Sequence, residues 1–364
     1  MTATTERLGR GEDVGVDVAA IEREFAALWR SASGEAGAAD LKPVTRACLA
    51  NLVVWCEDDA HLAALKQAFD ALVVSVPARV LIVKSEPARD DAPAFESYIS
   101  ANCILAPGGG KLVCSEEVTL VARGDGLRHV AAVVRALLVA NVPTMFLLVR
   151  PPTAGTTAVT PLLGLCDRLI IDTAMLTDLR ELVRMEALAD GARQVVDLGW
   201  LGLAGLRSSI ASVFDHDGPR AALGTLTQVN LVAPAARMAG RVLLVAWLAE
   251  RLKWRGPPDN LRAGARRTSV FSGPAGALTV ELTAVPAPPG GAEPETLLEL
   301  VMRDQVVRVR RGSEPVALIE TAVGVRSMAL DPSSLGDRVA RAMGPRAFDP
   351  AFPRVLARAV EMAA

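Results

Sequence analysis

A chain of 364 residues is longer than one typical domain and suggests two. Hydrophobic residues make up 51% and charged residues 22%, which excludes a disordered chain, and a formal net charge of −2 excludes a global basic field for nucleic acid or anionic lipid. Aromatic residues are only 4%, too few for the stacking platforms of single-stranded nucleic-acid binders, so the core is expected to be built from Val, Leu, Ile and Ala.

The opening stretch MTATTERLGRGEDVGVDV has no apolar segment and does not read as a signal peptide. Apolar runs such as VLLVAWLA at 242–249 are too short to cross a bilayer as helices, so a soluble, cytoplasmic protein with no membrane partner is expected. Residues 1–15 read as a disordered leader. Val18, Ile21, Phe25 and Leu28 then fall at helical spacing behind a candidate N-cap, Asp17. This amphipathic helix is expected to dock on the body rather than await a partner. SASGEAGAAD at 31–40 reads as a linker.

CLANLVVWCE (48–57) has the continuous apolar character of a strand covered on both faces. A helix capped by Asp58 or Asp59 comes next, then a second buried strand at 77–87. FESYISANCIL and KLVCSEEVTLVAR flank APGGG, a hairpin signal; Gly110-Lys111-Leu112 lacks the Ser/Thr and the helix of a phosphate loop. Residues 124–143 read as a helix ended by Pro143, and PTMFLLV as a third buried strand. In CDRLIIDTA (166–174) LII is a fourth strand, and Asp172-Thr173 can cap the segment after it. Residues 177–192 read as a helix; 195–219 start extended, become helical to about Phe214, and end in the turn DHDGP. The second region has a strand at 226–234 and a helix at 235–254 that is apolar on nearly every side. Residues 266–329 read as a run of five strands separated by Gly/Pro turns, and two helices close the chain. The expected fold class is α/β, a mostly parallel sheet flanked by helices, followed by a smaller α+β domain with an antiparallel sheet. The expected domains are a leader and helix at 1–40, an α/β domain at 41–219 and an α+β domain at 220–364.

Cys48, Cys56, Cys103, Cys114 and Cys166 are scattered through mostly apolar runs and read as buried reduced thiols. With no CxxC pair and three scattered histidines, no metal site is expected. There is no GxSxG elbow and no GxGxxG; the glycines of GWLGLAG (199–205) suit close helix packing instead. Glu116 and Glu117 are adjacent in a strand and point to opposite faces, a poor arrangement for acid/base work. What remains is a set of charges inside apolar runs: Arg168, Asp172, Asp197 and Arg207, with Trp200 among them. Buried charges must be paired, so the set is either an internal network or a recognition surface.

Pro77-Ala78-Arg79-Val80, Pro143 leading into a strand, CDRLIIDTA, Asp197-Leu198-Gly199-Trp200 with Arg207, and AWLAERLKW at 246–254 occur in this order. Over about 46–254 the series resembles the OpcA family, the glucose-6-phosphate dehydrogenase assembly or activator proteins of bacteria. The resemblance implies a non-enzymatic protein, with no cofactor of its own, that binds glucose-6-phosphate dehydrogenase and promotes its active oligomer. It points to Arg79, Arg168, Asp172, Asp197, Trp200 and Arg207 as the motif. Arg79 and Arg168 would hold carboxylates, Asp172 and Asp197 would orient them or cap helices, and Trp200 would anchor packing. The chain departs from the family where Val76 replaces a His before Pro77 and where Gly202 and Leu206 replace an Arg and a Trp. The alternative reading is a sugar-phosphate-binding protein or weak enzyme using the loops at 84–94, 150–160 and 172–177.

Overall fold

The structure, a computed structural model, describes residues 6–8, 17–34, 44–46, 48–105, 112–153, 156–256, 266–288, 294–311, 315–330 and 334–363. In chain order its first elements are β1 (Glu6–Leu8), α1 (Val18–Gly34), β2 (Val44–Arg46), β3 (Ala50–Cys56), α2 (Asp59–Ser75), β4 (Ala78–Glu86), β5 (Phe95–Leu105) and β6 (Leu112–Arg123). Next come α3 (Val130–Leu137), β7 (Thr144–Leu148), α4 (Val159–Leu163), β8 (Arg168–Ile171), α5 (Leu179–Ala189), β9 (Val195–Asp197), α6 (Leu198–Gly202), α7 (Ala204–Val213) and α8 (Asp217–Ala222). The rest are β10 (Leu226–Pro234), α9 (Met238–Arg251), β11 (Arg266–Gly273), β12 (Gly276–Val285), β13 (Thr296–Met302), β14 (Val306–Arg311), β15 (Val316–Thr321), β16 (Gly324–Ala329), α10 (Leu335–Met343) and α11 (Phe352–Ala363). They form two compact units. The first is Met1–Ile171, Gly191–Val196 and Ser334–Phe348; the second is Asp172–Asp190, Asp197–Ser333 and Asp349–Ala364.

The first unit is built on a nine-stranded sheet in the order β1-β5-β6-β4-β3-β7-β8-β9, with β2 also on β6. Pairing is parallel from β6 through β4, β3 and β7 to β8, while the β5–β6 hairpin and β1 are antiparallel. The apolar runs explain the centre. All seven residues of β3 and all five of β7 are buried, as strands covered on both faces must be. Helix α1 is docked, with Asp17 accepting from the Ala20 amide and with Ile21 and Phe25 buried. Asp58 caps α2 by accepting from the His61 amide.

The helix expected over 124–143 is shorter than its apolar spacing suggested. Only Val130–Leu137 is α-helical, after a 3-10 turn at Gly124–Arg128. The buried Asn51 of β3 draws the chain out: its Nδ2 donates to the Val139 carbonyl and its Oδ1 accepts from the Val139 amide, both at 2.9 Å. Two good hydrogen bonds to a fully buried amide outweigh one more turn of helix. The thiol expectation also fails at Cys114, which is buried and disulfide-bonded. The hairpin register sets Cys103 directly across from it, a juxtaposition that linear spacing concealed. Cys48, Cys56 and Cys166 are free thiols. The leader expected over 1–15, the linker at 31–40 and the APGGG turn lie largely outside the described residues, though Glu6–Leu8 pairs with β5 and α1 runs on to Gly34.

The second unit holds a seven-stranded sheet, β11-β12-β10-β13-β14-β15-β16. Every neighbour is antiparallel except β10 and β12. Strict alternation marks one covered face: Thr296, Leu298, Leu300 and Met302 of β13 are buried and the residues between them are not. Helix α9 packs on β10 and between α5 and α11, and from Met238 to Ala249 only Arg241 escapes burial. Two expectations are corrected here. DHDGP is not a bare turn, because Asp217–Ala222 is helical, with Pro219 in the first turn where no N–H is needed. Strand β16 was not anticipated; it is an edge strand, mostly exposed, without an apolar period. Among the described residues no helix is long and apolar enough to cross a membrane.

Candidate functional site

The densest polar construction of the second unit grows from Asp197, where β9 ends and α6 begins. Its extended backbone leaves the carboxylate at the helix start, where it accepts from the amides of Gly199 at 3.1 Å and Trp200 at 3.0 Å. The same carboxylate accepts from the Thr173 amide at 2.8 Å and the Thr173 hydroxyl at 2.6 Å. Four donors thus fill a carboxylate that is only 1% exposed. Burial nevertheless pushes its pKa up to about 6, against the downward pull of those donors. Gly199 makes the arrangement possible, since a Cβ there would lie 2.4 Å from the Thr173 hydroxyl and 2.9 Å from the Ala174 nitrogen. Asp172 begins the facing 3-10 turn, Thr173–Met175, by accepting from the Ala174 amide.

Trp200 carries the construction outward. Its indole N–H donates to Asp349 Oδ2 at 2.9 Å, and its ring meets Phe352 at 5.8 Å between centroids. The second oxygen of Asp349 accepts from the Ala351 amide at the start of α11. Arg207, seven residues along, lays its guanidinium over the Trp200 ring at 3.3 Å from the centroid. Its Nη1 donates to the Trp200 carbonyl at 2.6 Å. Burial lowers the Arg207 pKa to about 10; the negative charges of Asp349 and Asp197 oppose that shift and the positive charge of Arg251 adds to it.

Asp172, Asp197, Trp200 and Arg207 therefore gather in the second unit, whereas Arg79 and Arg168 belong to the first. Arg79 holds carboxylates, as expected: Glu116 Oε2 at 2.6 and 2.8 Å and Glu22 Oε1 at 2.6 Å, together with the Leu137 carbonyl at 2.8 Å. Arg168 does not. It donates to the Gln194 side-chain oxygen and to the carbonyls of Ala342 and Gly344, both at 2.7 Å. The physical reason is that α10 ends there, and its last carbonyls have no partner within the helix. Sequence reasoning missed Thr173 as a ligand of Asp197, and it missed Asp349 and Phe352, which lie far along the chain. Glu116, set aside as a poor catalytic carboxylate, is the ion-pair partner of Arg79.

These groups are suited to locking main chain rather than to moving protons. The Asp197 oxygens are saturated and shielded from solvent. Among the described residues no group of three or more His, Cys, Asp or Glu could hold a metal ion. The loops of the alternative reading use their polar groups internally: Glu86 with Arg123 and Lys84, Arg89 with Asp91, and Glu57 with Thr153. A groove of about 530 Å³ in the second unit is lined mainly by apolar residues such as Val213, Ala222 and Val323, with His216, Asp304 and Arg326 also on its walls.

Comparison with known proteins places these features in a family. Its two domains are described as the N-terminal and the C-terminal domain of a glucose-6-phosphate dehydrogenase subunit; residues 70–187 match the first and residues 193–356 the second. A relative from Nostoc punctiforme, named as an OxPP cycle protein OpcA, is 25% identical over 188 residues, which take in 51% of this chain and 40% of that protein. The chain thus aligns with less than half of that relative's length. An oxidoreductase from Sinorhizobium meliloti aligns with a TM-score of 0.49 at 11% identity, covering 86% of this chain and 94% of the other. Biliverdin reductase from Synechocystis, in complex with biliverdin and NADP+, aligns with a TM-score of 0.44 at 9% identity, covering 86% and 96%.

Proposed function

The chain belongs to the OpcA family of glucose-6-phosphate dehydrogenase subunit proteins, and from that premise we propose that it binds glucose-6-phosphate dehydrogenase and promotes its active oligomer, without itself catalysing a reaction. The observation that carries the reading is the pair of family matches, which between them take in most of both units. Burial of the motif supports it. Arg79, Arg168, Asp172, Asp197 and Trp200 are each no more than 7% exposed, and none is arranged for acid/base chemistry on a ligand. Their role on this reading is to fix the frame that a partner meets. Arg79 joins α1 to the sheet, Arg168 closes the end of α10, Asp172 and Asp197 cap, and Trp200 anchors α11. Such a protein works in the cytoplasm beside its partner, in the oxidative branch that supplies NADPH.

The test is co-purification of the full chain with glucose-6-phosphate dehydrogenase. The dehydrogenase activity and its size by light scattering are then compared with and without the chain. The reading expects a complex, a larger dehydrogenase assembly and higher activity. A dehydrogenase unchanged in size and rate, with no complex, rejects it.

A further inference from the structure

We propose that Arg207 is a preformed receptor for a single carboxylate side chain of a protein partner. As regards which protein supplies the carboxylate, the inference rests on the reading that glucose-6-phosphate dehydrogenase is that partner.

Arg207 is held over the Trp200 ring and donates only its Nη1, to a main-chain carbonyl. An arginine has five donors in a rigid planar fork. Neither of the two carboxylates beside it accepts from it. Asp349 accepts from Trp200 and Ala351, and Asp197 accepts from Thr173, Gly199 and Trp200. Among the described residues Arg207 Nε and Nη2 have no acceptor. The side chain is half-buried, with Ala204 and Ser208 exposed beside it on α7. A guanidinium held in place with donors open to solvent is receptive to an incoming acceptor.

The charge balance then selects the ligand. One cation stands with two anions, Asp197 and Asp349, so the local charge is already negative and repels a phosphate dianion about twice as strongly as a monoanionic carboxylate. Because the fork is already immobilised by Trp200, little rotamer entropy is lost on binding, and an arginine backed by tryptophan has the character of an interface hot spot.

Two experiments test this on the full chain. In the first, the arginine Nε–H signals are followed by NMR while acetate, and separately inorganic phosphate, is added; Arg207→Lys identifies the signal. A saturable shift with acetate, weaker or absent with phosphate, is expected. No acetate shift overturns the inference whatever the dehydrogenase does, and tighter binding of phosphate overturns it in favour of a phosphate ester. In the second, affinity for the dehydrogenase is measured for the unaltered chain, Arg207→Lys and Arg207→Ala. Loss of one charged hydrogen-bonded contact should weaken the complex roughly tenfold or more. Arg207→Lys should also weaken it, because a point charge does not replace the fork, and should do so at a temperature well below the melting point of either chain, where both are fully folded. A complex equally tight in all three chains overturns the inference. Failure of the unaltered chain to bind rejects the dehydrogenase as partner, while the acetate titration still decides whether the receptor exists.

Discussion

Trp200 and Asp349 are 149 positions apart, yet the indole N–H of one donates to the carboxylate of the other at 2.9 Å. The bond fixes the start of α11 against α6, because Asp349 also accepts from the Ala351 amide, next to Phe352. Trp200 contributes in two separable ways, through its ring and through its N–H. Trp200→Phe keeps a ring against Phe352 and removes the donor from a charged acceptor. It should lower stability by about 2 kcal/mol. Urea unfolding of Trp200→Phe, Asp349→Ala and the double variant gives the coupling directly. If the two losses simply add, the hydrogen bond contributes nothing.

Asp197 predicts a pH dependence with a definite sign. Its folded pKa is about 6, above the ordinary aspartate value of 3.8. Near and below pH 4 the favourable, protonated contribution is fully present. Between about 4 and 6 the folded protein keeps a proton that the unfolded chain has released, so stability falls as pH rises through that window. Asp197→Asn has no such titration. The stability advantage of the unaltered chain over Asp197→Asn should therefore be largest near pH 4 and shrink towards pH 6 and above. Denaturant midpoints for both proteins across this range check it; a difference that stays flat or widens with pH contradicts the mechanism.

Much of the architecture was legible because it rests on period and burial. Residues 50–56 and 144–148 are apolar throughout since both faces are covered, and β13 alternates since only one is. The site was legible only in part. Charges inside apolar runs marked Asp197 as a group needing partners, and four donors fill it; Arg79 was indicated by the family resemblance, and it is paired with Glu116. Their partners were not legible, because Thr173 and Glu116 sit in segments whose local pattern is ordinary. Arg168 misled for a related reason. A buried arginine suggests a carboxylate, but a helix end is an equally good acceptor, and nothing near residue 168 in the sequence says that α10 stops beside it. Strand β16 was missed since an exposed edge strand needs no apolar face.

Gly199 is a position where substitution has nowhere to go. An alanine Cβ would sit 2.4 Å from the Thr173 hydroxyl, and the Ala174 main chain is 2.9 Å away. The hydroxyl cannot simply rotate off without giving up its bond to Asp197. Gly199→Ala should cost about 1–3 kcal/mol by overpacking. Thr173→Ser in the same chain should recover little, since the clash is with the retained oxygen and the main chain. Thr173→Ala should relieve the steric part while removing one donor from Asp197. Thermal unfolding of the three chains separates these; a neutral Gly199→Ala would show that the turn and the helix start are not tightly joined.

Arg79 offers the sharpest test of whether the family motif is structural. It is 3% exposed and its partner Glu116 is 4% exposed, with contacts of 2.6 and 2.8 Å between them. Burial opposes its charge, but hydrogen bonds to Glu22 and Glu116 more than offset that and raise its pKa. Removing one member of a buried pair strands the other, so Arg79→Ala and Glu116→Ala should each cost about 3–5 kcal/mol. Replacing both by apolar residues of similar size, Arg79→Met with Glu116→Leu, strands neither charge and should cost less than either single change. Arg79 also reaches α1, donating to Glu22 and lying 5.4 Å from the Phe25 ring centroid. Even the milder double variant should therefore loosen that helix, and amide exchange over residues 18–27 should quicken while the centre of the sheet stays protected. Single and double losses that add, with no change of exchange in α1, would mean that the pair neither stores this penalty nor holds the helix.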